Sequence, residues 1–256
     1  MAAEDSLLPT MALTVTGLGE RIHAALLGAA AGEDAAGEAA GVRQLLDLAE
    51  ALAATGGTVD AEALRDRGLD AVPAGGPAAL LLRAVLAGLL TPLDRPRLRQ
   101  ASHRLVTMAR GDEGTAITAV AAGVLAADLT RFDTETALVR LRQTLLEEAP
   151  TALHVRLRPI GWADPLAAST DPGASLQLAI TMLTRADGIE AVVAAAAHAE
   201  GEIAPACALA GALAGARDRL EGCDPDWVDA IPARARIDAV ATPLAELAEN
   251  LLRIGA

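Results

Sequence analysis

The sequence predicts an all-α fold, a compact single-domain bundle of about ten helices. Two compositional facts and one pattern carry that expectation. Of 256 residues, 62 are Ala, the residue best suited to helical backbone. Phe132, Trp162 and Trp227 are the only aromatics, so strand-favouring side chains are scarce. Apolar residues recur at three- and four-residue spacing in blocks divided by Gly, Pro and Asp.

The first block is Leu18 to Ala31, with Leu18, Ile22, Leu26 and Leu27 on one side. Gly32 to Gly37 reads as a turn leading to a second helix, Val42 to Thr55, which Gly56-Gly57 ends as a C-cap. Asp60 caps a short helix through Arg67, and Pro73 to Pro77 is a loop. Ala78 to Leu90 is apolar on nearly all sides, as a central buried helix must be. After Pro92 and Pro96, Arg97–Ala109 and Thr115–Thr130 form an antiparallel pair joined at Gly111-Asp112-Glu113-Gly114. Thr134 to Glu148 follows. Thr151 to Thr170 is the least regular stretch, and its Val155/Leu157 and Arg156/Arg158 alternation suits either a short strand or a loop. Thr170-Asp171-Pro172 starts a helix over Gly173–Thr184. Helices then follow at Gly188–Ala199, Pro205–Arg217, a short one from Asp224, and Thr242–Ile254. No linker or composition shift divides the chain, so residues 1–16 read as a tail and 17–256 as one domain. The abundance of Ala implies close helix–helix approach.

The charge excludes some functions. All 21 basic residues are Arg, against 34 acids, and a net charge of −13 repels a phosphate backbone. No run reaches the roughly 20 apolar residues that span a bilayer. Glu4 and Asp5 stand where an export signal needs positive charge, and two cysteines do not make a disulfide framework. A cytoplasmic protein is expected, with no nucleic-acid or membrane partner. No nucleophile elbow, Walker loop or dinucleotide fingerprint occurs.

Gly201-Glu202-Ile203-Ala204-Pro205, running into Ala206-Cys207-Ala208-Leu209-Ala210-Gly211-Ala212-Leu213-Ala214-Gly215-Ala216, resembles the C-terminal signature of the ADP-ribosylglycohydrolase family. There a Gly-Asp-Thr-Asp-Thr turn opens an Ala/Gly helix. Arg21 to Ala31, continuing into Gly32-Glu33, is similar to the family's opening helix and its Gly-Asp. Gln44–Gly57 is similar to the helix after the family's Thr-Asp-Asp-Thr motif, and Gly76–Leu90 to its Gly-Asn-Gly-Ala-x-Met-Arg segment. Ser175–Ala199 looks like the helix pair before the metal turn. The resemblance covers most of residues 17–254 and implies the family's all-helical scaffold.

It also implies a pair of Mg²⁺ ions held by carboxylates and Thr hydroxyls, which activate water at an anomeric carbon. The sequence departs from the family at those ligands. Glu202 keeps the first acid of the last turn, whereas Ile203, Ala204 and Pro205 replace the remaining ligands. Ala40-Gly41-Val42-Arg43 takes the Thr-Asp-Asp-Thr position without a carboxylate. Ala109-Arg110 replaces Thr-His before Gly111-Asp112; Pro77 or Ala78 replaces the Asn, and Arg83 remains.

The expectation is a degenerate member of the family without a cofactor, its Mg²⁺ pair absent, acting as a ligand-binding or protein-interaction module. The reading leans away from an enzyme. The alternative is a metal-independent hydrolase on an ADP-ribose or nucleotide-sugar-like substrate, with Glu33 or Glu202 as the acid. Arg43, Arg110 and Asp34 are the ligand-binding candidates. The two guanidinium groups either hold a phosphate or carboxylate or pair with Glu33, Glu202 or Asp112. The partners expected are a small anionic ligand or a protein, and Ala-rich surfaces suit a homodimer. His198 and Glu202, four apart, are two ligands at most and read as a surface pair. His23, His103 and His154 read as structural or exposed. Cys207 reads as an inert buried thiol, and Cys223 as a thiol raised by Asp224 and Asp226.

Overall fold

A computed structural model describes residues 15–37, 41–58, 61–148, 170–199 and 203–255. Among these residues there are twelve α-helices, one 3₁₀ turn and no strand. The helices are α1 (Val15–Ala35), α2 (Gly41–Ala54), α3 (Ala61–Asp66), α4 (Leu81–Leu90), α5 (Arg95–Thr107) and α6 (Glu113–Leu129). They continue with α7 (Thr134–Glu148), α8 (Pro172–Arg185), α9 (Ile189–Ala197), α10 (Ala204–Asp218), α11 (Pro225–Ala230) and α12 (Arg234–Gly255). The 3₁₀ turn, Pro77–Leu80, leads directly into α4.

The all-α expectation holds, and several boundaries move. The turn expected from Gly32 is still helix, because Glu33 is buried at the end of α1 and bonds to α2. Helix α5 begins at Arg95, with the Asp94 carboxylate accepting from Arg97 N at 3.0 Å and Pro96 in the first turn. Helix α12 starts eight residues earlier than Thr242, at Arg234, and carries Pro243 inside it. The strand-or-loop segment at 151–169 lies outside the described residues, as do His154 and Glu202.

Two helix crossings build the centre. Helix α1 runs antiparallel to α10, with Ala24, Gly28 and Gly32 facing Gly215, Gly211 and Cys207. A Cβ on Gly28 or Gly211 would stand inside the other residue's carbonyl oxygen, so the two backbones touch. Helix α4 meets α6 in the same manner at Gly88 and Gly123. The four-residue spacing of the small residues places them along one ridge, and removing the side chains lets the axes close. Around these crossings Leu27, Leu48, Leu80, Leu125, Leu178 and Leu209 join one connected apolar core.

Arginine replaces lysine in the structural polar roles. Arg21 donates to the carbonyls of Ala216 and Arg217, closing the end of α10. Arg217 closes α8 through Leu183 O (2.7 Å) and Ala186 O (3.1 Å). The buried Asp128 carboxylate accepts from Arg95 Nη2 at 2.6 and 2.7 Å and also faces Arg140. Arg140 lies 4.6 Å from the centre of the Phe132 ring and Arg131 lies 5.0 Å from it.

Candidate functional site

The segments that carry the family resemblance meet at one end of the bundle, around the 3₁₀ turn. Ala79 lies beside Gly41, at the start of α2, and beside Gly75, which also faces Pro205 at the start of α10. Ala78 N donates to Thr170 O at 3.2 Å, just before α8. Leu80 lies against Gly111, just before α6. The starts of α2, α4, α6, α8 and α10 therefore gather with the end of α1.

Three carboxylates at this end serve the backbone. Glu33 is 6% exposed, and its Oε1 and Oε2 accept from Gly41 N (2.6 Å) and Val42 N (3.0 Å). These are donors that a helix start leaves unpaired, and the carboxylate also meets the positive end of the helix dipole. A Cβ at position 41 would lie 2.9 Å from Glu33 Oε1, so glycine there admits the contact. Asp112 caps α6 through Thr115 N at 2.7 Å, and hydrogen bonding from Thr115 holds its carboxyl below the usual range. Asp171 caps α8 through Ala174 N at 2.8 Å.

The candidate residues divide into two places. Glu33, Asp34 and Arg43 line a pocket of 200 Å³ together with Val42, Leu46 and Arg236. Arg43 and Asp34 are exposed on it, and neither has a charged partner among the described residues. Arg236 is held by Asp47 and by Glu50 at 2.7 Å, which lowers the Glu50 carboxyl and raises the guanidinium. Arg110 does not line this pocket. It is exposed at the end of α5, 3.8 Å from Asp70, and it pairs with neither Glu33 nor Asp112. Its φ of 60° makes it the left-handed residue of the α5 cap. The sequence missed this role because a glycine signal stands one residue later, at Gly111.

Arg83 is fully buried in α4. It donates to Leu69 O at 2.8 Å and Gln44 Oε1 at 3.0 Å, with no carboxylate partner among the described residues, and burial pushes it down to about 10. It ties the start of α4 to α2 and to the loop after α3. His23 faces Asp238 at 2.7 Å and His103 faces Glu113 at 3.3 Å, while His198 bonds Ala194 O at 2.6 Å. Cys207 is buried and pushed up to about 11 by that burial. The Cys223 thiol is raised first by burial and then by Glu190 and Asp218, so Asp224 and Asp226 are not the cause.

A Mg²⁺ pair of the kind the family resemblance implies needs several oxygen ligands in near-octahedral array. Glu33, Asp112 and Asp171 are turned onto backbone N–H groups instead, and Gly41-Val42-Arg43 brings a guanidinium. Among the described residues no group of three or more His, Cys, Asp or Glu could hold a metal ion.

This architecture is an all-α fold of the ADP-ribosylglycohydrolase-related type. A solved structure described as an "ADP-ribosylglycohydrolase-related protein complex" is similar to this chain with a TM-score of 0.78 and 19% identity. The match covers 91% of this chain and 99% of that one, and at such identity it establishes the fold. No protein-family model and no curated protein matches the sequence. No helix among the described residues is long and apolar enough to cross a membrane.

Proposed function

We propose that this chain keeps the ADP-ribosylglycohydrolase-type scaffold without dinuclear Mg²⁺ hydrolase activity and works in the cytoplasm as a ligand-binding or protein-interaction module. The observation that carries this reading is the Glu33 carboxylate, bonded to Gly41 N and Val42 N. An acid engaged in this way holds a helix in place and is poorly suited to gripping a cation or shuttling a proton. The same contact weighs against the metal-independent hydrolase reading with Glu33 as acid.

The ligand site in this proposal is the pocket between α1, α2 and the turn before α12. Arg43 offers a planar pair of donors to a phosphate or carboxylate, and Asp34 accepts from a hydroxyl of the same ligand. At 200 Å³ the pocket suits one anionic group with its neighbouring ring better than a whole dinucleotide.

Isothermal titration with ADP-ribose, with and without Mg²⁺, tests the proposal. Binding that ignores Mg²⁺ and weakens by about tenfold or more in Arg43→Ala is expected, because that variant removes a charge-assisted hydrogen-bond donor. Mg²⁺-dependent binding would overturn it, as would Mg²⁺-dependent cleavage of an ADP-ribosyl glycosidic bond in a substrate that still carries its leaving group. Absence of heat in both buffers would remove ADP-ribose as the ligand and leave only the interaction role.

A further inference from the structure

A second surface, away from Glu33 and Arg43, joins an apolar groove to unpaired positive charge. The groove lies where the start of α5 passes the last turns of α12. It has a volume of 350 Å³, and Leu93, Pro96, Leu251 and Leu252 line it together with Asp94 and Arg97. Leu93 is 55% exposed, the most exposed large apolar residue among the described ones. A leucine so exposed beside a groove is a feature of docking surfaces.

The charge beside the groove runs against the rest of the molecule. The protein has 34 acids and 21 arginines, and most of the described arginines meet a carboxylate or a carbonyl. Helix α5 has four arginines and no acid. Arg95 is taken by Asp128. Arg97, on the groove, has no partner among the described residues, and Arg104 has only the Met108 sulfur, 3.4 Å from its Nε. The neighbouring acids are occupied: Asp94 caps α5 through Arg97 N, and Glu113 faces His103. Arg97 and Arg104 are seven residues apart, which puts them on one face of α5, about 10 Å along its axis.

We infer that this face docks an acidic, leucine-bearing amphipathic segment of a partner protein. An apolar side chain of the segment enters the groove beside Leu93, and carboxylates two helical turns apart meet Arg97 and Arg104. The net charge of −13 repels an acidic partner in general, so attraction confined to this strip orients the encounter. The inference stands independently of ADP-ribose binding.

Selection from a phage-displayed library of random peptides on the full chain, with the Leu93→Ser/Arg97→Glu double variant as counter-selection, tests it. The expected winners combine Asp or Glu with Leu, Ile, Met or Phe. A synthetic winner should bind about tenfold more weakly to Arg97→Glu and to Arg104→Glu, since each variant removes one guanidinium–carboxylate pair. It should bind Arg65→Glu, on exposed α3, as it binds the original chain, and salt should weaken it. Circular dichroism should show all variants folded, because these positions are on the surface. No enrichment over the counter-selection overturns the inference, as does enrichment of basic peptides. A concentration-dependent dimer in sedimentation velocity that Leu93→Ser abolishes also overturns it, because a second copy would then be the occupant.

Discussion

Helix α1 makes two very different contacts along its length. In its middle, Gly28 meets Gly211 of α10 with the two backbones touching. At its end, Glu33 reaches Gly41 and Val42 of α2 through a buried carboxylate. The first contact depends on side chains being absent, and no other residue type can substitute. The second depends on one specific charge, and its loss affects a single helix start. The centre of the fold is thus fixed by sterics, and the open end by hydrogen bonds from acids that cap helices.

The largest expected effect is at the steric contact. Gly211→Val puts a branched side chain into the Gly28 carbonyl and forces α1 and α10 apart along their whole ridge. The loss should exceed about 3 kcal/mol, beyond ordinary overpacking, because backbone and not a movable side chain blocks the site. Urea unfolding followed by circular dichroism measures it. A loss below about 1 kcal/mol would mean that the helices can separate cheaply and that the ridge does not set the fold.

At the other end of α1 the expected loss is smaller and graded. Glu33→Ala leaves the N–H groups of Gly41 and Val42 buried and unpaired, a cost of about 2–3 kcal/mol. Glu33→Gln keeps one acceptor and should lose about half as much. Hydrogen exchange at Gly41 and Val42 should quicken in both variants, with the amides of the α1–α10 crossing unaffected. Equal losses in the two variants would mean that shape and a single acceptor contribute nothing and that the charged pair of oxygens carries the whole contact.

The same contrast explains how much was legible in the sequence. The abundance of Ala is a local signal of composition, and close helix packing was read from it, whereas the pairing of Gly28 with Gly211 shows only in the fold. The Gly56-Gly57 cap and the Asp171 start were legible for the same local reason. Glu33 is different, because its partners are eight and nine residues away across a helix end, and no spacing rule reports that. From the sequence it was an acid beside a pocket, and only the fold reveals it as a cap. Arg43 and Asp34 could be nominated, yet their meeting on one pocket depends on how α1 ends and α2 begins. Arg110 was grouped with them on the family resemblance, and the chain sends it to a different surface. Pro243 concealed the first turns of α12, since a proline inside a helix reads as a boundary.

The smallest effect concerns how three helices end. Helices α2, α3 and α5 close with the same backbone pattern: Gly57 N bonds Leu52 O, Leu69 N bonds Leu64 O, and Gly111 N bonds Val106 O. The residue before each of these donors is left-handed: Gly56 at φ 65°, Gly68 at φ 66° and Arg110 at φ 60°. Glycine adopts this conformation without steric penalty, whereas an arginine carries a Cβ against its own carbonyl, at a cost of about 1 kcal/mol. The exposed guanidinium recovers little of that, being 3.8 Å from Asp70. Arg110→Gly should therefore stabilise the protein by up to about 1 kcal/mol, seen as a rise in the urea midpoint at unchanged slope. Unchanged ADP-ribose binding in that variant would separate Arg110 from the Arg43 pocket. A fall in stability would show that the arginine side chain holds α5 against the loop after α3 more strongly than its long contact with Asp70 implies.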